Sequence, residues 1–455
     1  MKYFQKSSIK ISIYFTFSAL VLFLGFFLNF WKVANEQWFL SQNYDMESYI
    51  IGRLVKSQQN GVFSSGGLTG LGSPDFVFAE PNNNSFEFQY KAYFNNQKFG
   101  SFSPYYSQIG GQGMLFSILD ELMPLVPQLK LTLFKAFTSL FTAITVAMIV
   151  LWFYYEFGLL VSLFVLVSTV LSPWLVVFGG KLWWSTWSFY LPMVAIMYHL
   201  KKRNPVGNQN LTFGIIIFTV VFIKIFITGY EYITTTLIMM MVPFIYYGVL
   251  RRMIFRKLIT GFYVAIISSF LSMLLSFSIL SFQIASLNGN LLSGVKHFVY
   301  SFEKRTYGDS NNFSSEYSDS LNSNASSVVI TYLRGGYFGP TELLRINNPI
   351  LTRFVSGISF LFLLIFFCIF SVILSHYRKK IIDIEKQRAS LALISALWFS
   401  LLAPLSWFII FKSHSFIHTH MNYIVWQMPF TIFGFAVCGL ALQPFFETRL
   451  YKKFK

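Results

Sequence analysis

Ten apolar stretches, most of them close to 20 residues long, alternate with short polar gaps along this 455-residue sequence. They cover approximately 11–33, 132–154, 157–178, 183–200, 210–229, 231–250, 259–283, 354–376, 389–410 and 423–445. A helix of about 20 residues crosses about 30 Å of hydrocarbon. In that medium each backbone N–H and C=O must be satisfied within its own segment, which leaves the helix as the element such runs can form. A soluble domain would carry about 25% charged residues. Here 12% are charged and 55% hydrophobic, and the mean hydropathy is +0.55. The fold expected is all-α, a polytopic transmembrane bundle of about ten spans forming one membrane-embedded unit over 1–455.

The charges orient the bundle. Lys and Arg collect in alternate gaps: Lys2, Lys6 and Lys10; Lys201, Lys202 and Arg203; Arg251, Arg252, Arg256 and Lys257; Arg378, Lys379, Lys380, Lys386 and Arg388; and Arg449, Lys452, Lys453 and Lys455. The opposite short turns hold only Lys181 and Lys412. Such asymmetry marks the cytoplasmic side, so both termini are expected in the cytoplasm, with the first span retained and not cleaved as a signal. The net charge of +17 then serves orientation and contact with anionic lipid headgroups, and nucleic acid is not an expected partner. Cys368 and Cys438 both fall inside apolar runs, so no disulfide framework is indicated.

Two outer segments are long. The first, 34–130, contains a helical pattern over Tyr44–Gln58, a Gly/Ser/Asn-rich stretch, and a short apolar segment around Met114–Val126 that carries Asp120 and Glu121. Segments too short to span usually lie in the membrane interface, so this loop is expected to be partly helical. The second, 284–353, has a Ser/Asn-rich centre at Ser310–Ser327 that is expected to be mobile.

The residues able to carry chemistry gather on this outer side. Asp45 and Glu47, in Asn43-Tyr44-Asp45-Met46-Glu47, follow the first span. Two carboxylates at the edge of a low-dielectric region can hold a metal or supply a base. Equally, they can favour a helix N-terminus, with Arg53 pairing to the same acidic face. His414, His418 and His420 crowd the turn after Lys412. The i, i+4 spacing of His414 and His418 puts them on one helical face, where imidazoles can bind phosphate, bind zinc or sit in an interfacial belt. Lys224 lies about one turn inside its span and Glu231 opens the next; ionisable groups at such depth mark functional sites unless they reach the surface. Lys181 beside Trp183 and Trp184 suits a sugar-phosphate or an interfacial anchor. Arg334, in Thr331-Tyr-Leu-Arg-Gly-Gly-Tyr-Phe-Gly-Pro340, offers a bidentate fork beside glycines that allow close backbone approach. Tyr105–Gly113 is similarly glycine-rich but lacks the Lys and Thr of a phosphate loop.

A cytoplasmic N-terminus, an acidic residue just beyond the first span, a large first outer loop, and many spans with a later outer loop resemble the GT-C superfamily of membrane glycosyltransferases. That superfamily includes protein O-mannosyltransferases, lipid A aminoarabinose transferases and the oligosaccharyltransferase catalytic subunits. The architectural likeness covers most of the chain, and the motif likeness is confined to about Asn43–Arg53. The resemblance implies transfer of a sugar from a polyprenyl-phosphate donor to a glycan, lipid or protein acceptor. In that reading Asp45 is the base or a metal ligand, Glu47 completes a loose Asp-x-Glu motif, and Lys181, Lys224, Arg334, Lys412 and His414 supply cations. A divalent metal is a possible cofactor and no organic cofactor is expected. A polysaccharide polymerase or O-antigen-ligase-like enzyme, and a flippase for a lipid-linked sugar, are the alternatives. Richness in Phe, Ile, Asn and Lys is compatible with a bacterial cytoplasmic membrane.

Overall fold

The computed structural model describes residues 8–42, 44–74, 82–202, 210–339, 355–379 and 381–453, with the backbone alone for residue 8 and for 447–453. Asn43, Pro340 and the basic residues Lys2, Lys6, Arg203, Lys380 and Lys455 therefore lie outside the described side chains.

The apolar stretches are helices. Seven are long and apolar enough to cross a membrane, or eight if one bent pair counts as a span. These are α1 (Ser8–Leu28), α6 (Pro127–Phe157), α10 (Asn210–Thr228), α11 (Ile233–Leu250), α12 (Phe255–Asn288), α16 (Phe360–Arg378) and the run Ile384–Ile410, made of α17 (Ile384–Ser400) and α18 (Leu402–Ile410). The bent pair is α7 (Leu159–Val170) and α8 (Pro173–Gly179), which meet at 68°. The bend has a local cause: Ser172 caps the Leu175 N–H and Pro173 opens the second helix, where its missing N–H costs nothing. The expected spans 183–200 and 423–445 correspond to α9 (Trp187–Lys202) and α20 (Phe430–Lys453); α9 has 16 residues and the apolar part of α20 is Phe430–Phe446, so neither is among the seven. Asn422–Gln427 forms a 3-10 turn ahead of α20. At 34 residues, α12 is about 51 Å long, so it outreaches the hydrocarbon layer it would cross.

Between α1 and α6 the chain builds a folded cap. Its helices are α2 (Glu36–Ser41), α3 (Tyr44–Asn60), α4 (Asn83–Phe94) and α5 (Gly111–Leu122). One departure from the all-helical expectation appears here: β1 (Gly70–Ser73) pairs antiparallel with β2 (Ser101–Pro104). Glycine permits the hairpin to lie flat on α3, since a Cβ on Gly52 would stand 2.2 Å from the Gly70 carbonyl oxygen. Gln89 of α4 clamps the same strand, donating to the Gly72 carbonyl at 2.7 Å and accepting from its N–H at 2.9 Å.

Two buried polar groups organise this cap. Asp120 accepts from Tyr93 Oη and Gln58 Nε2 and pairs with Lys130 at 3.2 Å, so its carboxylate is enclosed within the cap. Arg53, fully buried, does not pair with the acidic face of α3. Its guanidinium donates to the carbonyls of Gly61, Ser64 and Leu68 and to the hydroxyls of Ser57 and Ser64. Five donors in a fixed fork suit Arg to gathering one loop in this way.

Past α12 the chain turns at Gly289, in the left-handed region at φ 69°, and α13 (Leu291–Arg305) folds back along α12. The Ser/Asn-rich centre forms short helical turns. Short helical turns lead to α14 (Ser318–Asn322) and α15 (Ala325–Arg334). Lys412, in α19 (Lys412–Ile417), fixes them by donating to the carbonyls of Leu321 and Ser323. Tyr332 stacks on Phe408 with ring centres 4.0 Å apart and donates to the Ser415 carbonyl at 2.7 Å.

Replacing Arg53 with Ala leaves buried carbonyls without donors, a loss of about 1–3 kcal/mol for each stranded group. The expected result is destabilisation by about 3 kcal/mol or more, read as a lowered melting temperature in detergent. Lys at the position should recover only part of it, because an ammonium lacks the planar fork. An unchanged melting temperature for Arg53→Ala contradicts this account of the cap.

Candidate functional site

The tight turn between α10 and α11 positions the first component. Gly229 (φ 62°) and Tyr232 (φ 52°) both take left-handed backbone. Lys224 braces the turn, donating to the carbonyl of Gly229 at 2.7 Å and to that of Glu231. The cap presses on the same point, since a Cβ on Gly229 would meet the Gln108 Cβ at 2.6 Å. The Glu231 carboxylate thus sits where three parts of the chain converge. Arg305, at the end of α13, reaches it at 3.2 Å, and His414 Nε2 lies 3.8 Å from its other oxygen. Arg305 also donates to Tyr105 Oη at 3.4 Å, and the Tyr105 ring packs against Tyr49 and Trp183.

Histidines continue from there. The His414 and His418 rings are centred 4.5 Å apart, as the i, i+4 spacing predicts, and His418 and His420 are 5.6 Å apart. Burial, then the neighbouring His418 and Arg305, holds the His414 pKa well below the ordinary histidine value. Burial and His420 push His418 down to about 4. Burial also lowers His420, against the opposing charge of Asp45. Asp45, half-buried in the first turn of α3, is thus near enough to His420 for its charge to be felt there. Neutral imidazoles each keep one donor and one acceptor nitrogen. Glu231 Oε2 and the Nδ1 atoms of His414 and His418 are buried without a hydrogen-bond partner among the described residues. Buried polar atoms are usually paired, so this group retains the capacity to bind water or a polar ligand.

An apolar groove of about 310 Å³ adjoins the cluster between α12 and α13. Tyr230, Phe270, Met273, Phe277 and Phe298 line it, and Arg305 is its one permanent charge. Phe270 and Leu274 are largely exposed on the flank of α12, so the groove reaches the surface that a bilayer would cover.

Asp45 and Glu47 do not act as a pair. Glu47 is buried and committed elsewhere: it pairs with Lys135 at 3.1 Å and accepts from the Leu182 N–H at 3.0 Å and Tyr90 Oη at 3.4 Å. Burial alone would raise its pKa, but Lys135, Lys181 and the Leu182 N–H outweigh it and the net shift is downward. Lys181 donates to the Leu40 carbonyl at 3.3 Å, and burial lowers its pKa against the pull of Glu47. These two residues join the cap to α6 and to the loop after α8. Lys224 and Lys412 are spent on backbone carbonyls, and Arg334 stands exposed at the end of α15 with no ion pair among the described residues. Of the expected residues, Glu231, His414 and His418 converge, and Asp45 lies within electrostatic range of His420. Glu47, Lys181, Lys412 and Arg334 stand outside the cluster, and Lys224 supports it from behind.

Sequence reasoning missed Arg305 and Lys135. Arg305 ends an amphipathic helix inside a long polar loop, and only contact with Glu231 distinguishes it from Lys304. Lys135 interrupts the apolar run of α6, and a charge inside such a run is a signal that could have found it. Among the described residues no group of three or more His, Cys, Asp or Glu side chains is placed to hold a metal ion. Comparison with protein-family models, with curated proteins and with solved structures returns no match.

The depressed histidine pKa values give stability a pH dependence. Between about pH 4 and 6.5 the unfolded chain binds protons that folded His414 and His418 refuse, so stability rises with pH across that window and is fully present above it. The melting temperature should fall as pH drops from 7 to 5, and His418→Gln should flatten the slope. Glu47 contributes in the same direction only below its unfolded value of 4.5. A melting temperature that is constant, or higher at pH 5 than at pH 7, contradicts the assignment of neutral buried imidazoles.

Proposed function

We propose that this chain is a polytopic membrane glycosyltransferase of GT-C-like architecture. It transfers a sugar from a polyprenyl-phosphate donor to a glycan, lipid or protein acceptor at the extracytoplasmic face. One observation carries the reading: an apolar groove adjoins Arg305, which pairs with Glu231 beside His414, and Asp45 of the cap lies within electrostatic range of His420 at the end of the same histidine group. The alternation of basic gaps supports placing this end of the bundle outside, with both termini in the cytoplasm and about ten membrane-crossing segments.

In this reaction the groove takes the first isoprene units of the tail. Arg305 exchanges part of its contact with Glu231 for the donor phosphate, for which its planar fork is suited. His414 and His418, neutral at pH 7, offer ring N–H groups to phosphate oxygens as charge develops on the leaving group. Asp45 accepts the proton from the acceptor hydroxyl. The acceptor oxygen bonds to the anomeric carbon, the carbon–oxygen bond to phosphate breaks, and the electron pair leaves with the lipid phosphate. Glu231 keeps Arg305 and His414 in register and is a positioning residue.

A second reading has an observation in its favour. The 68° break between α7 and α8 resembles the discontinuous helices of transporters, and a flippase for a lipid-linked sugar would also use the groove. Purified protein in sealed vesicles, given a polyprenyl-phosphate sugar and a membrane-derived acceptor extract, separates the two. Transfer predicts release of polyprenyl phosphate, a loss of about 10²–10⁴-fold in kcat for Asp45→Asn, and a raised KM for the donor in Arg305→Ala. Movement of intact donor across the bilayer without release, or full turnover by Asp45→Asn, overturns the transferase reading.

A further inference from the structure

A second cavity lies against the last turn of α13. It measures about 430 Å³ and is lined by Phe302, Glu303, Thr306, Tyr307, Asp309 and Asn312, with Gly308 and Ile410 completing the wall. Phe302 also lines the apolar groove, so the two cavities are neighbours across that side chain, and Thr306 directly follows Arg305. Their chemistry differs sharply. The groove is aromatic and aliphatic around one guanidinium. The second cavity presents two carboxylates, a carboxamide, two hydroxyls and two aromatic rings.

Both hydroxyls are committed, Thr306 Oγ1 donating to the Phe302 carbonyl at 2.8 Å, while the exposed Glu303, Asp309 and Asn312 present polar atoms to the cavity and to solvent. Tyr307 donates from Oη to the Ile409 carbonyl at 2.7 Å, and Lys412 Nζ stands 5.0 Å from its ring centre. The ring is thereby fixed at both edge and face. One oxygen of Asp309 accepts the Asn311 N–H at 3.0 Å, fixing that carboxylate. The Gly308 N–H donates to the Glu303 carbonyl at 2.9 Å, closing the turn beneath the cavity. The Glu303 carboxylate, the Asn312 carboxamide and the second Asp309 oxygen make no hydrogen bond among the described residues. Carboxylates accept paired hydroxyls, a carboxamide both donates and accepts, and an aromatic ring offers an apolar face. The volume falls within the range of small-ligand sites. Two carboxylates disfavour an anion, and the cavity lies beside α13 as a depression and not as an extended strip for a peptide.

We propose that this cavity binds an uncharged sugar residue. Its role as the subsite for a glycan acceptor rests on the transferase reading; the binding itself does not. An acceptor held there would lie within one turn of Arg305 and on the other side of Phe302 from the donor tail. Donor and acceptor would then approach the Glu231 cluster along separate routes.

The test is saturation-transfer NMR at pH 7 with the full chain in lipid nanodiscs. The probes are neutral hexoses, 6-deoxyhexoses, N-acetylhexosamines and their disaccharides, with glucose 6-phosphate and tetra-alanine as contrasts. At least one neutral sugar should receive saturation while both contrasts do not. Asn312→Ala and Glu303→Gln, at positions outside the buried core, should each weaken that signal at least fivefold with the melting temperature unchanged. Arg305→Ala should still bind the sugar, which separates failure here from failure of the donor site. The proposal is overturned if no neutral sugar responds, if either contrast responds as strongly, or if both cavity variants bind as the parent does.

Discussion

The Glu231 carboxylate, 3.2 Å from the Arg305 guanidinium, ties the turn between α10 and α11 to the end of α13. Glu231 belongs to the turn between two apolar helices, and Arg305 ends a helix that has folded back from α12. Taking both charges out of water is costly, and their attraction offsets this only with good geometry and further hydrogen bonds. The further contacts come from Tyr105 in the cap and from His414 in the last turn. Cap, second loop and final turn are thereby held around one carboxylate. Its second oxygen remains without a hydrogen bond, so the pair is a junction that can exchange partners as well as a support.

Around that junction the polar residues divide by what they already hold. Arg53, Asp120, Glu47, Lys135, Lys224 and Lys412 have their charges occupied by carbonyls, hydroxyls or an opposite charge, and each fixes one segment to another. The histidines and Glu231 have buried atoms still unpaired. That contrast, more than residue type, distinguishes a site from a scaffold in a chain where every buried charge must be justified. In the proposed reaction the groove and Arg305 receive the lipid phosphate, while Asp45 faces the acceptor.

Much of the helical frame was legible because hydrophobic run length is a direct consequence of the medium. The pairing of His414 with His418 was legible because helical geometry brings i and i+4 together. The break at Ser172-Pro173 was missed, although a capping serine followed by proline inside the run marks it. The short helical turns within Ser310–Ser327 were not legible, because Lys412 holds them from about 90 residues away through backbone carbonyls. Asp45 and Glu47 looked like a pair at a spacing of two, yet on a helix residues two apart do not face each other. Glu47 turns inward to Lys135, whereas Asp45 is only half-buried in the first turn of α3. Arg305 stayed hidden because only tertiary contact sets it apart from the other basic residues of its loop.

The most direct measurement is a structure of the full chain in a lipid bilayer with polyprenyl phosphate bound. The account predicts the phosphate within hydrogen-bond distance of Arg305 and one of His414 or His418, with the tail between α12 and α13. A phosphate bound away from Arg305, or a groove that holds ordinary lipid while polyprenyl phosphate sits elsewhere, would contradict it.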